Sequence, residues 1–191
     1  MKIIEPWPDS EFGKRRVNEA VSVLFGMPLV GVRYFGSEFA APALSSSHSG
    51  FDTVLKGVEL TCSSHRLNVM WMIEGVREGL GFVVDPDQQF YEDEGLRAVD
   101  VSSELHWVPR LGVPVMSSGV GWQLSDDDAM RGIWSFSLGF GERSVTMALG
   151  EASETGIGIT YQPDSVAVIF DESIARRYRI PASAEPAWVL R

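Results

Sequence analysis

The chain has 191 residues, 45% hydrophobic and 22% charged, a balance that describes an ordinary globular protein and excludes a disordered tail. Lys and Arg total 16 against 26 Asp and Glu, giving a formal charge of −10; such a surface repels phosphate backbones and anionic lipids, so direct nucleic-acid or membrane binding is not expected. The single cysteine, Cys62, excludes an internal disulfide and a multi-cysteine zinc site, and an unpaired thiol points to the cytoplasm.

The N-terminus "MKIIEPWPDSEFGKRR" has no apolar leader core, and no stretch approaches the roughly 18 apolar residues of a membrane span. Residues 10–25 then place Val17, Ala20, Val21 and Leu24 on one stripe of a helix, with Asp9 or Ser10 as its cap and Gly26 followed by Pro28 as its stop. Beyond it the period changes to two. Strands are predicted over 28–35, 56–62, 67–73, 80–84, 115–123, 134–140, 144–150, 157–161 and 165–170, with a small-residue loop over 36–52. "WSFSLGF" (134–140) alternates large and small residues, so one face is buried and the other small or wet. Asp171 is placed to cap a short helix over 171–178.

Parts of the chain echo one another. "FGMPLV" (25–30) matches "LGVPVM" (111–116), and "RLNVMWMIEG" (66–75) matches "RSVTMALGEA" (143–152) at Arg, Met and Glu. "GLGFVVDPD" (79–87) then lines up with "GIGITYQPD" (156–164). Blocks in the same order predict an internal duplication, with repeats near 25–98 and 111–178. The expected fold is therefore α+β in a single domain over 1–191: mainly antiparallel β built from two internally duplicated halves, with an N-terminal helix. Period alone leaves open whether the halves form one sheet or two. The repeated glycines suit close backbone packing, and Pro-Asp suits a turn before the next strand. A phosphate loop would need a helix opening at the glycines, and β-patterned residues stand there instead.

Catalytic signatures are sparse. His48, His65 and His106 do not form a metal motif, and "CSSH" (62–65) has no second pair of ligands, so no metal or cofactor is expected. "SSSHSGFD" (45–52) holds serine, histidine and aspartate together, but triad members normally converge from distant elements, and a solvated loop is the simpler reading. The acidic runs Glu92, Asp93, Glu94 and Asp126, Asp127, Asp128 lack the spacing of a calcium loop. With Trp122 they are the candidate partner-binding residues, since aromatic anchors beside acidic groups suit a basic partner. Trp71 and Trp134 fall inside strand patterns; Trp7, Trp122 and Trp188 stand beside turns or near the termini. Function is expected where the repeats diverge, at 36–52 in the first and "GWQLSDDDAMR" (121–131) in the second.

The stretch "YQPDSVAVIFDESIARRYRIP" (161–181) resembles the ending of small bacterial proteins that include immunity proteins of polymorphic toxins. The resemblance implies a cytosolic, acidic, single-domain binder that blocks a toxin, often a basic one. It carries no functional residue over. The leading expectation is thus a non-catalytic binding module that neutralises a basic protein such as a toxin domain. The alternatives are a small hydrolase centred on the Ser45–Asp52 loop and a small-molecule binder with a cleft between the halves, lined by Trp71 or Trp134.

Overall fold

The computed structural model describes residues 1–7, 11–37, 50–75, 77–123, 132–155, 157–180 and 186–190. Helix α1 (Glu11–Ser22) forms over the apolar stripe: Val17, Ala20 and Val21 are buried, Leu24 follows them into the core, and the chain leaves at Gly26 with φ of 72°. The expected caps, Asp9 and Ser10, lie outside the described residues.

Two antiparallel sheets follow. The first joins β1 (Lys2–Ile4), β2 (Leu29–Ser37), β4 (Gly57–Cys62), β5 (Arg66–Glu74), β6 (Arg77–Val84) and β7 (Leu96–Asp100) in the order β1-β6-β5-β4-β2-β7. The second joins β3 (Phe51–Val54), β8 (Ser117–Trp122), β9 (Ile133–Phe140), β10 (Arg143–Leu149) and β13 (Val166–Ile169) in the order β3-β13-β10-β9-β8. A ribbon of β11 (Glu151–Ala152) and β12 (Ile159–Thr160), two short helices α2 (Gln88–Asp93) and α3 (Glu172–Arg177), and a 3-10 turn at Val108–Arg110 complete the described elements. The protein is α+β and mainly antiparallel, with an N-terminal helix.

Period-two patterning explains how the sheets meet. Leu60, Leu67, Val69 and Phe82 of the first sheet join Phe136, Leu138, Val145, Met147 and Val168 of the second in one hydrophobic core, where the Phe82 and Phe136 rings meet edge to face at 5.2 Å. On β9 the intervening Ser135, Ser137 and Gly139 form the opposite face. That face is small but not wet: all of β9 is buried. Residues 186–190 run over it, so that a Cβ at Gly119 on the neighbouring strand would stand 2.7 Å from the Val189 carbonyl carbon.

Four strands of the first sheet and four of the second follow the same order. β2, β4, β5 and β6 pair Tyr34 with Val58, Leu60 with Leu67 and Val69 with Phe82; β8, β9, β10 and β13 pair Val120 with Phe136, Leu138 with Val145 and Met147 with Val168. Each meander carries one more strand beside its last, β1 on β6 and β3 on β13, and each runs on into a short helix capped by an aspartate, Asp87 or Asp171. Where they cross, the Gly26 amide donates to the Val115 carbonyl at 3.0 Å and the Gly112 amide to the Leu29 carbonyl at 2.8 Å. Leu29 likewise donates to Val113, and Val115 to Met27. The matched "FGMPLV" and "LGVPVM" segments therefore bond to each other reciprocally.

The other two sequence matches differ from this correspondence. Met70 of "RLNVMWMIEG" lies in the outer cluster of the first sheet and Met147 of "RSVTMALGEA" in the shared core, a one-residue slip that exchanges faces. Leu67 corresponds to Val145, not to Ser144. "GLGFVV" is β6, whose counterpart is β13, whereas the described part of "GIGITY" belongs to the β11–β12 ribbon. Pro86-Asp87 opens a helix, not a strand, because the Asp87 carboxylate accepts from the Phe90 amide at 3.0 Å.

Candidate binding groove

A row of polar side chains on the outer face of the first sheet, with Glu59 and Asn68 buried, fixes the position of α2. Asp100, Arg33, Glu59 and Asn68 lie side by side across β7, β2, β4 and β5. Arg33 Nε donates to Glu59 Oε1 at 2.8 Å, and the Tyr91 hydroxyl of α2 donates to the second carboxylate oxygen. The Tyr91 ring stacks on Phe35 at 5.4 Å, with the Arg33 guanidinium 5.3 Å from its centre. Burial and the Glu59 carboxylate both push the Tyr91 phenol well above its usual range, so it remains a donor at neutral pH. A charge-assisted hydrogen bond and an aromatic stack thus hold a helix too short to persist alone.

Seated in this way, α2 turns Phe90 and Glu94 toward a groove of about 410 Å³. Met70, Met72 and Glu74 of β5 line it together with Trp71, and the N-terminal segment contributes Ile3, Glu5, Pro6 and Trp7. Glycine sets how closely that segment approaches: a Cβ at Gly79 would lie 2.8 Å from Pro6 Cβ, and the Pro6 carbonyl accepts from the Ile133 amide at 2.9 Å.

Lys56, in the turn between β3 and β4, closes the lining. Its amide donates to the Phe35 carbonyl at 3.0 Å, and its own carbonyl accepts from the Trp71 amide at 3.2 Å. The Trp71 indole N–H donates to the Leu55 carbonyl, which fixes the ring, and the Lys56 ammonium rests 4.3 Å from the ring centre. Three carboxylates, one ammonium, aromatic faces and two thioethers converge here. Carboxylates beside aromatic rings and thioethers suit recognition of a cationic, partly apolar group.

The residues singled out from sequence distribute unevenly. Glu94 reaches the groove; Glu92 and Asp93 are exposed on α2, accepting from Gln88 and Gln89. Trp122 ends β8 in the other sheet, partly buried against the core and away from this lining. Asp126, Asp127 and Asp128 lie outside the described residues, as does His48. Trp71 lines the groove and Trp134 is fully buried, while Phe82 and Phe136 fill the space between the sheets. Asp52, the end of the supposed hydrolase loop, is 5% exposed and accepts from the Tyr34 hydroxyl. Burial pushes the Cys62 thiol up to about 11, which makes it a poor nucleophile at neutral pH. His65 pairs with Asp85 at 2.9 Å, and the His106 ring stacks on Phe170 at 4.7 Å.

Glu5, Trp7, Lys56, Met70, Met72, Glu74 and Phe90 are additions that sequence reasoning missed, because they come from separate elements with no motif among them. Among the described residues no group of three His, Cys, Asp or Glu side chains is arranged to hold a metal ion, and no helix is long and apolar enough to cross a membrane. Comparison with known protein families finds no match for this chain, and comparisons with curated proteins and with solved structures find none.

Proposed function

We propose that the protein is a non-catalytic binding module whose acidic, aromatic groove receives a basic protein, and that this partner is a toxin domain which it neutralises. The observation that carries the reading is the convergence of Glu5, Glu74 and Glu94 around a Trp, Phe and Met surface in a chain of net charge −10. Long-range attraction raises the encounter rate with a cationic surface, and the apolar floor supplies the desolvated anchor that holds it. Exposed Ile3 and Ile73 add to the apolar surface of the groove. The toxin-directed part of the reading draws on the C-terminal resemblance.

The same reading takes the two halves as descendants of one duplicated unit. The matching strand order, the paired core residues and the reciprocal bonds at Gly26 and Gly112 support it. On that account the groove is a feature gained by one half. The corresponding end of the second half holds a hollow of about 360 Å³ lined by Arg177 and Arg179, of opposite charge.

The test compares the wild-type chain with a Glu5→Lys, Glu74→Lys, Glu94→Lys variant as baits in lysate of the source cells at low and moderate salt. A basic protein retained in stoichiometric amount by the wild type alone supports the proposal. Equal retention by both baits, or none by either, overturns it.

A further inference from the structure

The Lys56 ammonium marks a place in the groove where a cation already sits on an aromatic face. Trp71 is held from both ends, its indole N–H on the Leu55 carbonyl and its amide on the Lys56 carbonyl, so the ring is a fixed platform. The ammonium is less firmly held. Among the described residues it has no carboxylate within ion-pair distance and no hydrogen-bond acceptor, and it rests on the ring 4.3 Å away. Glu5, Glu74 and Glu94 line the same groove without pairing to it. The arrangement thus combines a rigid π face, surplus negative charge nearby and a cation on a flexible four-carbon stem that can swing away into water.

We propose, resting on the groove reading above, that the Trp71 ring is the seat of an arginine side chain from the basic partner and that Lys56 fills this seat in the free chain as an internal competitor. Arginine is the favoured occupant on physical grounds. Its planar, weakly hydrated guanidinium stacks flat on an indole and presents its edge donors to carboxylates, which a strongly hydrated ammonium does less well. Lys56 then keeps an otherwise exposed aromatic surface covered and biases the groove against weak cations. An incoming guanidinium backed by Glu5, Glu74 and Glu94 displaces it.

The experiment is a double-mutant cycle read by calorimetric titration with an amidated tetra-arginine peptide, using the wild-type chain, Lys56→Met, Trp71→Leu and the double variant. Lys56→Met tightens binding about fivefold, and in the Trp71→Leu background the same change has less than about a twofold effect. Equal tightening in both backgrounds overturns the competitor role, because loss of one positive charge then explains it without the ring. If the leucine variant does not fold, Trp71→Phe keeps an aromatic side chain in place and weakens the seat, and the cycle is read in that background. A Glu5→Gln, Glu74→Gln, Glu94→Gln chain is titrated beside these; binding equal to wild type overturns the groove reading itself. No heat from any chain at millimolar peptide overturns both.

Discussion

The Tyr34 hydroxyl donates a 2.7 Å hydrogen bond to Asp52 Oδ2, and this bond joins β2 of the first sheet to β3 of the second. The same hydroxyl accepts from the Trp107 indole N–H at 2.8 Å, and all three side chains are buried. Burial, reinforced by Asp52, pushes the Tyr34 phenol well above its usual range, so the hydroxyl keeps its proton and its role as donor. Tyr34→Phe removes one hydroxyl, leaving the Trp107 N–H without its acceptor and Asp52 without this donor. The expected loss is about 1–3 kcal/mol of stability by urea unfolding. A loss within error of zero would show that the joint is not held by this chain of bonds.

The reciprocal crossing of the halves predicts matched effects at its two glycines. Gly26 and Gly112 have φ of 72° and 75°, and no atom lies within 4 Å of where a Cβ would stand at either. Alanine at each site therefore meets only the cost of left-handed backbone, about 1–2 kcal/mol. Gly26→Ala and Gly112→Ala are expected to lower stability by the same amount within about 0.5 kcal/mol. A large difference between them would mean that the two crossings are not equivalent.

Two other glycines separate the core from its cover. A Cβ at Gly57 would lie 2.8 Å from Met70 Cα, backbone of a paired strand that has nowhere to move, whereas at Gly119 it would meet Val189 in the segment 186–190. That segment is joined to the chain around α3 by the amides of Ala187 and Trp188, and by the Arg176 guanidinium 4.9 Å from the Trp188 ring centre. Gly57→Ala is expected to destabilise the whole fold by about 1–3 kcal/mol. Gly119→Ala is expected to lift the terminal segment while the global unfolding midpoint stays nearly constant. Amide exchange at residues 186–190 reads the difference, and unchanged protection there in Gly119→Ala contradicts the assignment.

Acid stability is expected to depend on two aspartates, Asp85 after β6 and Asp171 after β13. Burial acts to raise the Asp85 carboxyl, but the Arg66 amide and the His65 ring, each at 2.9 Å, outweigh it and hold it below the usual value. Hydrogen bonding from Ser173 holds Asp171 low at the start of α3. A carboxyl depressed in the folded state contributes its full stabilisation above the unfolded pKa of about 4 and loses it as pH falls through the folded value. Stability should therefore decline as pH falls below the unfolded value of about 4, and Asp85→Asn and Asp171→Asn should each shallow the decline. Asparagine suits Asp85, whose φ is 48°. Equal acid sensitivity in wild type and both variants would remove these groups from the account.

How much of this was legible in the sequence follows from how local each signal is. Strong period-two runs such as "WSFSLGF" and "SVTMALG" mark β9 and β10, and the stripe Val17, Ala20, Val21 marks α1, because each reports its own burial. Helix α2 was missed: its six residues show no helical period, and it persists through Tyr91 on Glu59 and Phe35, residues distant in the chain. β3 and β7 were missed because a short strand depends on its neighbour, β13 in one case and β2 in the other. The repeat register slipped because identities at Arg66, Met70 and Glu74 outweighed the face each residue occupies. The groove was legible only in part, through Trp71 and Glu94, since Glu5, Lys56 and Phe90 come together only after both halves fold.

A nitrogen–proton correlation spectrum of the tryptophan indoles, followed during addition of the amidated tetra-arginine peptide, reads occupancy of the groove at its own residues. The account predicts that the Trp71 and Trp7 indole signals move together in a saturable manner, that added salt reverses the shifts, and that the buried Trp107 and Trp134 signals stay in place. Shifts confined to Trp122 or Trp188, or no indole shift on binding, would contradict a groove at Trp71 as the site of recognition.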